Sequence, residues 1–315
     1  MPALPVAGLS AALYCVLFIA LGFVALSGTW SQVLQWILTY ELPRHRSMFL
    51  RPWQWPSLFL LAFRDFMGVD GGANEVGLFL ECTLAGPTIL FMLYTIVTTL
   101  RLRVPQGKIG VAALEIGGWL FLDGLVAPST AIPLYFAWRA APILIDQVWP
   151  SSNSKASSGA HERPKPHTSL LPPRLVSLVV AMLYALIVAT ACSSCWKHLS
   201  LFVAEHKTAH GVIGAAWTLV RGKEAATHGL MYWFAMLAKD LNANPITRNL
   251  AIDTLFTSLA ISLHTMLGSP SQQPRGLTLS RWIMALLSAP VLTAANLVSG
   301  GSIWALSLIV KEMLI

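Results

Sequence analysis

The chain is a succession of apolar runs divided by short stretches in which charge collects. A helix of about 20 apolar residues crosses a hydrocarbon core of roughly 30 Å, and Val6 to Ser27 meets that length. Arg44, His45, Arg46 and Arg51 follow, and then Trp53 and Trp55, a pair of the kind that sits at headgroup level. Pro52 to Met67 is apolar but short, so it either crosses with a tilt or only dips in. Gly77 to Leu100 predicts a span closed by Arg101, Arg103 and Lys108. Ile109 to Val126 and Thr130 to Val148 predict two more, joined by Ala127-Pro128-Ser129-Thr130 with the proline as punctuation.

Residues 151–173 interrupt this rhythm with Ser, Pro, Lys and His, which cannot bury a core. A disordered cytosolic loop is expected there, dividing an N-terminal helical half (1–150) from a C-terminal one (174–315). Leu175 to Cys195 reads as a span. Between Trp196 and Asn249 the apolar pieces are short and broken by Arg221, Lys223 and Glu224. Leu250 to Leu267 spans again, a basic loop with Arg275 and Arg281 follows, and Trp282 to the C-terminus is one long segment or two short ones. The fold class that results is all-α, a polytopic membrane bundle of seven or eight helices with a lumenal N-terminus and the basic loops on the cytosolic face. No Lys or Arg precedes the first run and no small-residue cleavage site follows it directly, so that run reads as a retained span and not as a cleaved signal.

Composition sharpens this picture. Apolar residues make up 55% of the chain and charged ones 11%, and the mean hydropathy is +0.63, against about 25% charged in ordinary soluble domains. The net charge of +7 resides in short loops and forms no continuous patch, so it reads as topology and the expected partners include the lipid bilayer but no nucleic acid.

Among the 14 acids, Glu81, Glu115, Asp123 and Asp253 stand inside apolar runs, where a charge costs roughly 2.5 to 3.5 kcal/mol on insertion scales and marks a functional site. Residues 64–87 carry one of them. If Asp70 already belongs to the helix, offsets of 4 and 11 place Asp70, Asn74 and Glu81 on one stripe at about 100° per residue. Asp253, Thr257 and His264 repeat those offsets, so two polar stripes on two apolar helices are expected to meet. Glu115 and Asp123 are eight apart, with Trp119 between, and can share a cavity edge. Each acid taken singly is equally well an interhelical hydrogen bond of about 0.6 kcal/mol.

Other chemistries find no support. His206 and His210 form a single HxxxH with His198 nearby, and Cys192 and Cys195 a CxxC without a second pair, so neither has the ligand set of a metal site. Aspartate-rich diphosphate motifs, a serine nucleophile elbow and a glycine-rich phosphate loop are missing. The expected cofactor and metal are therefore none. What remains is acid chemistry on an apolar substrate. A carboxylic acid kept from water holds its proton and can pass it to an epoxide or alkene, and the chain's 12 Trp, 13 Phe and 6 Tyr offer aromatic faces to the cation that forms.

GVDGGANEVGLFLECTLAGP, GWLFLDGLVAPSTAIPLYF and NLAIDTLFTSLAISLH, in that order, resemble the fungal integral-membrane terpene cyclases of the ascofuranone and ascochlorin type. The likeness covers residues 60–145 and 245–267. It implies an endoplasmic-reticulum enzyme of meroterpenoid or sesquiterpenoid secondary metabolism that cyclises a small prenylated or epoxidised substrate by protonation, without metal. It places Asp70 in the GVD element, Asp253 in the late acidic helix, and Pro133 and Tyr135 in the PLYF element. One position departs: Ala85 precedes Gly86 where the family often carries Asp, and the nearest acid is Glu81, one turn earlier. The catalytic set expected is Glu81, Asp253, Asp70 and Asp123, with Asn74, Glu115, Trp119, Tyr135, Thr257 and His264 around the substrate. A transporter using the same acids as an ion path, or an accessory protein using them only to pack helices, stays open as the alternative.

Overall fold

In lipid every backbone N–H and C=O must be satisfied inside its own segment, and a run without polar partners does this as a helix. The computed structural model describes residues 6–41, 47, 50–54, 75–148, 174–186, 189, 238, 241–268, 278–298 and 302–314. Among these residues the chain is all-α and no strand occurs. Helix α1 is Val6–Trp36, continued by a π turn at Ile37–Glu41. Helix α2 is Glu75–Arg103, α3 is Ile109–Leu125 and α4 is Pro128–Val148. After them come α5, Arg174–Leu186, α6, Pro245–Leu267, α7, Leu279–Val298, and α8, Ser302–Leu314.

Three of these, α1, α2 and α6, are long and apolar enough to cross a bilayer, and α7 with α8 makes a fourth if the pair counts as one crossing. These apolar helices are compatible with a membrane protein, with three or four candidate spans among the described residues where the sequence predicts seven or eight. The spans expected over 109–126, 130–148 and 175–195 correspond to helices α3, α4 and α5, which are not long and apolar enough to count, while most of 52–67 and of 196–249, like the loop 151–173, lies outside the described residues. The last apolar segment, from Trp282 onward, resolves into two helices, α7 and α8, and not one.

Local signals set the boundaries. Asn244 Oδ1 accepts the Ile246 N–H at 2.9 Å and Pro245 occupies the first helical position, an Asn cap followed by a residue whose missing N–H is not needed there. At the other end of α6, Gly268 takes φ +71° and its N–H reaches the His264 carbonyl at 2.8 Å, a left-handed stop that only glycine adopts at no steric cost.

Two compact units are present, one of Met1–Ser27, Thr83–Ile187 and Asp253–Ile315, the other of Gly28–Cys82 and Val188–Ile252. Segments from both sides of 151–173 contribute to each. In the second unit Arg248 ties the end of α1 to the start of α6, donating to Gln32 Oε1 at 2.6 Å and Gln35 Oε1 at 2.8 Å.

In the first unit α4 is the central helix. Ala131, Ile132, Tyr135, Phe136, Ala137 and Ala140 are all buried. Although α4 has 21 residues, Arg139, Asp146 and its prolines keep it below the apolar character of a span, and protein on several sides makes that tolerable. Against α1 it packs closely: a Cβ added to Gly22 meets the Leu134 side chain at 2.9 Å.

Near the end of α2 an ion pair joins α8. Arg101 donates to both oxygens of Glu312, at 2.9 and 2.6 Å, a bidentate geometry stronger than a single contact. Glu312→Gln is expected to lower the midpoint of thermal unfolding, followed by tryptophan fluorescence in detergent, by the equivalent of about 1–2 kcal/mol. Adding Arg101→Gln to that variant should cost little more. Additive losses would show that the two side chains act independently.

Candidate functional site

Two acids of the first unit, Asp123 and Asp253, belong to the corner between α3 and α4. A helix start leaves several N–H groups without intrahelical partners, and here Ala127 offers no polar side chain with which to cap them. The carboxyl of Asp253 on α6 does so from across the unit: its Oδ1 accepts the Ser129 N–H at 2.7 Å. A negative group at a helix N-terminus is stabilised by the peptide dipoles as well as by the hydrogen bond.

Asp123, one turn before the corner on α3, has a different setting. It is only 2% exposed, and neither carboxyl oxygen has a hydrogen-bond partner among the described residues. Asp253 is near enough for the two carboxyls to interact electrostatically. The hydroxyls of Ser129 and Thr130 on α4, and of Thr254, Thr257 and Ser258 on α6, are likewise buried without a partner among the described residues. Serine and threonine in helices commonly bond back to the carbonyl four residues earlier, as Ser262 does to Ser258 at 2.7 Å. These five do not, and unmet buried polar groups on this scale call for water or a ligand.

A cluster of rings lies in the same unit. Tyr135 is surrounded edge-to-face by Phe91 at 5.4 Å, Tyr94 at 6.1 Å and Trp119 at 5.3 Å. Phe136 stacks flat on the His264 imidazole, 3.8 Å between centroids and 9° between planes. Trp304 of α8 reaches Tyr94 at 6.0 Å. Such arrays present negative ring faces to any positive charge formed among them.

The residues expected from the sequence divide into several groups. Asp123, Asp253 and Thr257 are buried in this unit, the two acids interacting at the α3–α4 corner. His264, Tyr135 and Trp119 belong to the ring cluster, and the Tyr135 hydroxyl is committed to Thr98 Oγ1 at 2.5 Å. Because Thr98 donates to the Tyr94 carbonyl at 2.7 Å, the Tyr135 hydroxyl is the donor of that pair and has no proton left for a substrate. Glu115 pairs with Arg103 at 2.9 Å and accepts from Trp138 Nε1 at 3.4 Å, so its charge is met within the protein. Glu81 lies on α2, but its side chain, like the whole of Asp70 and Asn74, is outside the described residues. Tyr14, Phe136, Ser129, Thr254 and Ser258 were not singled out by the sequence. Only the APST turn, with its proline at a helix start, pointed toward one of them.

No family model, no curated protein and no solved structure matches the chain.

Proposed function

We propose that this chain is a multi-pass terpene cyclase of the endoplasmic reticulum, one that starts ring closure of a prenyl chain or its terminal epoxide by protonation. The observation that supports it best is the buried Asp123 carboxyl, without a hydrogen-bond partner among the described residues, beside an Asp253 carboxyl that holds a helix N-terminus. Asp253 is the member that a backbone N–H and the helix dipole both face. Two neighbouring carboxyls resist carrying two charges, so the proton of the pair goes to the partner. Asp123 is then a carboxylic acid at neutral pH, in a place where a lone charge would cost several kcal/mol.

Delivered to an epoxide oxygen or a terminal alkene, that proton leaves a cation on carbon, which the π bonds of the chain attack in turn. Ring faces such as those of Phe91, Tyr94 and Trp119 lower the cost of the charge. Loss of a proton from carbon to a carboxylate ends the sequence, so substrate and product are isomers and no redox partner is consumed. Expression of the full chain in yeast membranes, supplied with a prenylated phenol and its terminal epoxide, tests this by chromatography, mass spectrometry and NMR. A cyclised isomer of unchanged mass is expected, and its absence with every prenyl substrate offered would overturn the reading.

The topology has its own test. Basic residues at 101–108, 155–174 and 275–281 belong on one face under the positive-inside bias. Single cysteines at Gln106, Ser157 and Gln273, in a background lacking the natural ones, should all be labelled by an impermeant reagent from the cytosolic side. Labelling of any two from opposite sides contradicts the arrangement.

A further inference from the structure

Helix α6 carries a second polar group on the face of Asp253. His264 lies 11 residues further on, within about 20° around the axis and roughly 16 Å along it. Its ring is fixed on several sides, flat against Phe136, with the edges of Tyr14 at 6.4 Å, Phe18 at 6.5 Å and Tyr94 at 6.4 Å. Its Nδ1 lies 2.6 Å from the Tyr14 hydroxyl.

That one contact decides which ring nitrogen carries the proton. Tyr14 is fully buried, and Nδ1 is the only hydrogen-bond partner its hydroxyl has among the described residues. A buried O–H with a single partner points its hydrogen there. Nδ1 is then the acceptor, and a neutral imidazole that accepts at Nδ1 carries its hydrogen on Nε2. No acceptor meets Nε2 among the described residues, and the pair is only partly buried.

We infer that His264, with its tautomer fixed by Tyr14, offers its Nε2–H to an acceptor oxygen, a carbonyl or ether, on an isoprenoid ligand. Tyr14 is the positioning residue, since it touches His264 and not the ligand. The inference rests on the cyclase reading for the class of ligand only, because the test involves no turnover.

The probes are farnesylacetone, a prenyl chain ending in a ketone, and the hydrocarbon lacking its oxygen, titrated into the full chain in detergent and followed by tryptophan fluorescence. Wild type should bind the ketone about ten-fold tighter than the hydrocarbon, the worth of one well-placed hydrogen bond. His264→Gln, which keeps a side-chain N–H donor, should retain a preference for the ketone. His264→Leu should bind the two equally, whatever its affinity for the hydrocarbon. In Tyr14→Phe the ¹⁵N shifts of the His264 ring should move from a single tautomer toward an average, and the ketone preference should shrink. Equal binding of the two probes by wild type, or a ketone preference kept by His264→Leu, overturns the inference. A chain that shows the ketone preference yet forms no cyclised product from any prenyl substrate loses the cyclase reading and keeps this one.

Discussion

Asp123→Asn is expected to reduce cyclised product by about 10² to 10⁴, the range typical of a lost general acid, while the amount of protein in the membrane stays at the wild-type level or rises. The two halves of that result come from one piece of geometry. In the wild type neither Asp123 oxygen has a hydrogen-bond partner among the described residues, and the carboxyl interacts with that of Asp253. An asparagine has nearly the same shape and carries no charge under any condition. A residue kept for packing or stability would not leave a buried acid so poorly matched, and its replacement by a neutral isostere would leave turnover intact. Product yield normalised to immunoblot abundance separates the two. Full turnover in the amide variant removes Asp123 from the chemistry.

The helices themselves were largely legible in the sequence. The bounds of α2 and α6 fall within a few residues of the apolar runs, because a run with no polar interruption has no other way to satisfy its backbone in lipid. The role of α4 was less legible. Pro133, Pro142 and Arg139 weaken it as a span, and only the protein packed on several sides of it, from Gly22 on α1 to His264 on α6, makes it the centre of its unit.

The acids show where periodicity stops. Angular spacing on a helix says which residues share a face but not what that face meets. It set Asp253 opposite Glu81, whose side chain lies outside the described residues, and Asp123 beside Glu115. The structure gives Asp253 the Ser129 N–H and an electrostatic interaction with Asp123, and it gives Glu115 to Arg103, a residue the sequence placed in a basic loop. The Ser129 contact follows from the corner between α3 and α4, whose geometry is set by backbone groups that no side-chain pattern records, and the Glu115 pair from the turn at 104–108 between α2 and α3. The Tyr14 and His264 contact joins residues 250 positions apart, and no local signal announces it.

Asp253 carries two loads, and two substitutions separate them. Asp253→Ala removes the acceptor of the Ser129 N–H, leaving a buried donor at a helix start whose own cap residue, Ala127, offers nothing in return. The expected cost is about 1–3 kcal/mol from the unmet donor and the lost cap, seen as a lower unfolding midpoint and reduced membrane abundance. Asp253→Asn keeps an oxygen that can accept the same N–H at similar distance, so its stability should stay within about 0.5 kcal/mol of wild type. Turnover should nevertheless fall at least about 10²-fold in the asparagine variant, because the carboxylate that can take up the proton lost from carbon is gone. A residue that only caps α4 predicts a different pattern, an active asparagine variant beside a poorly expressed alanine one. Unfolding midpoint and product per molecule, measured on both variants in the same detergent, distinguish the two, and wild-type product from Asp253→Asn would reduce Asp253 to a cap.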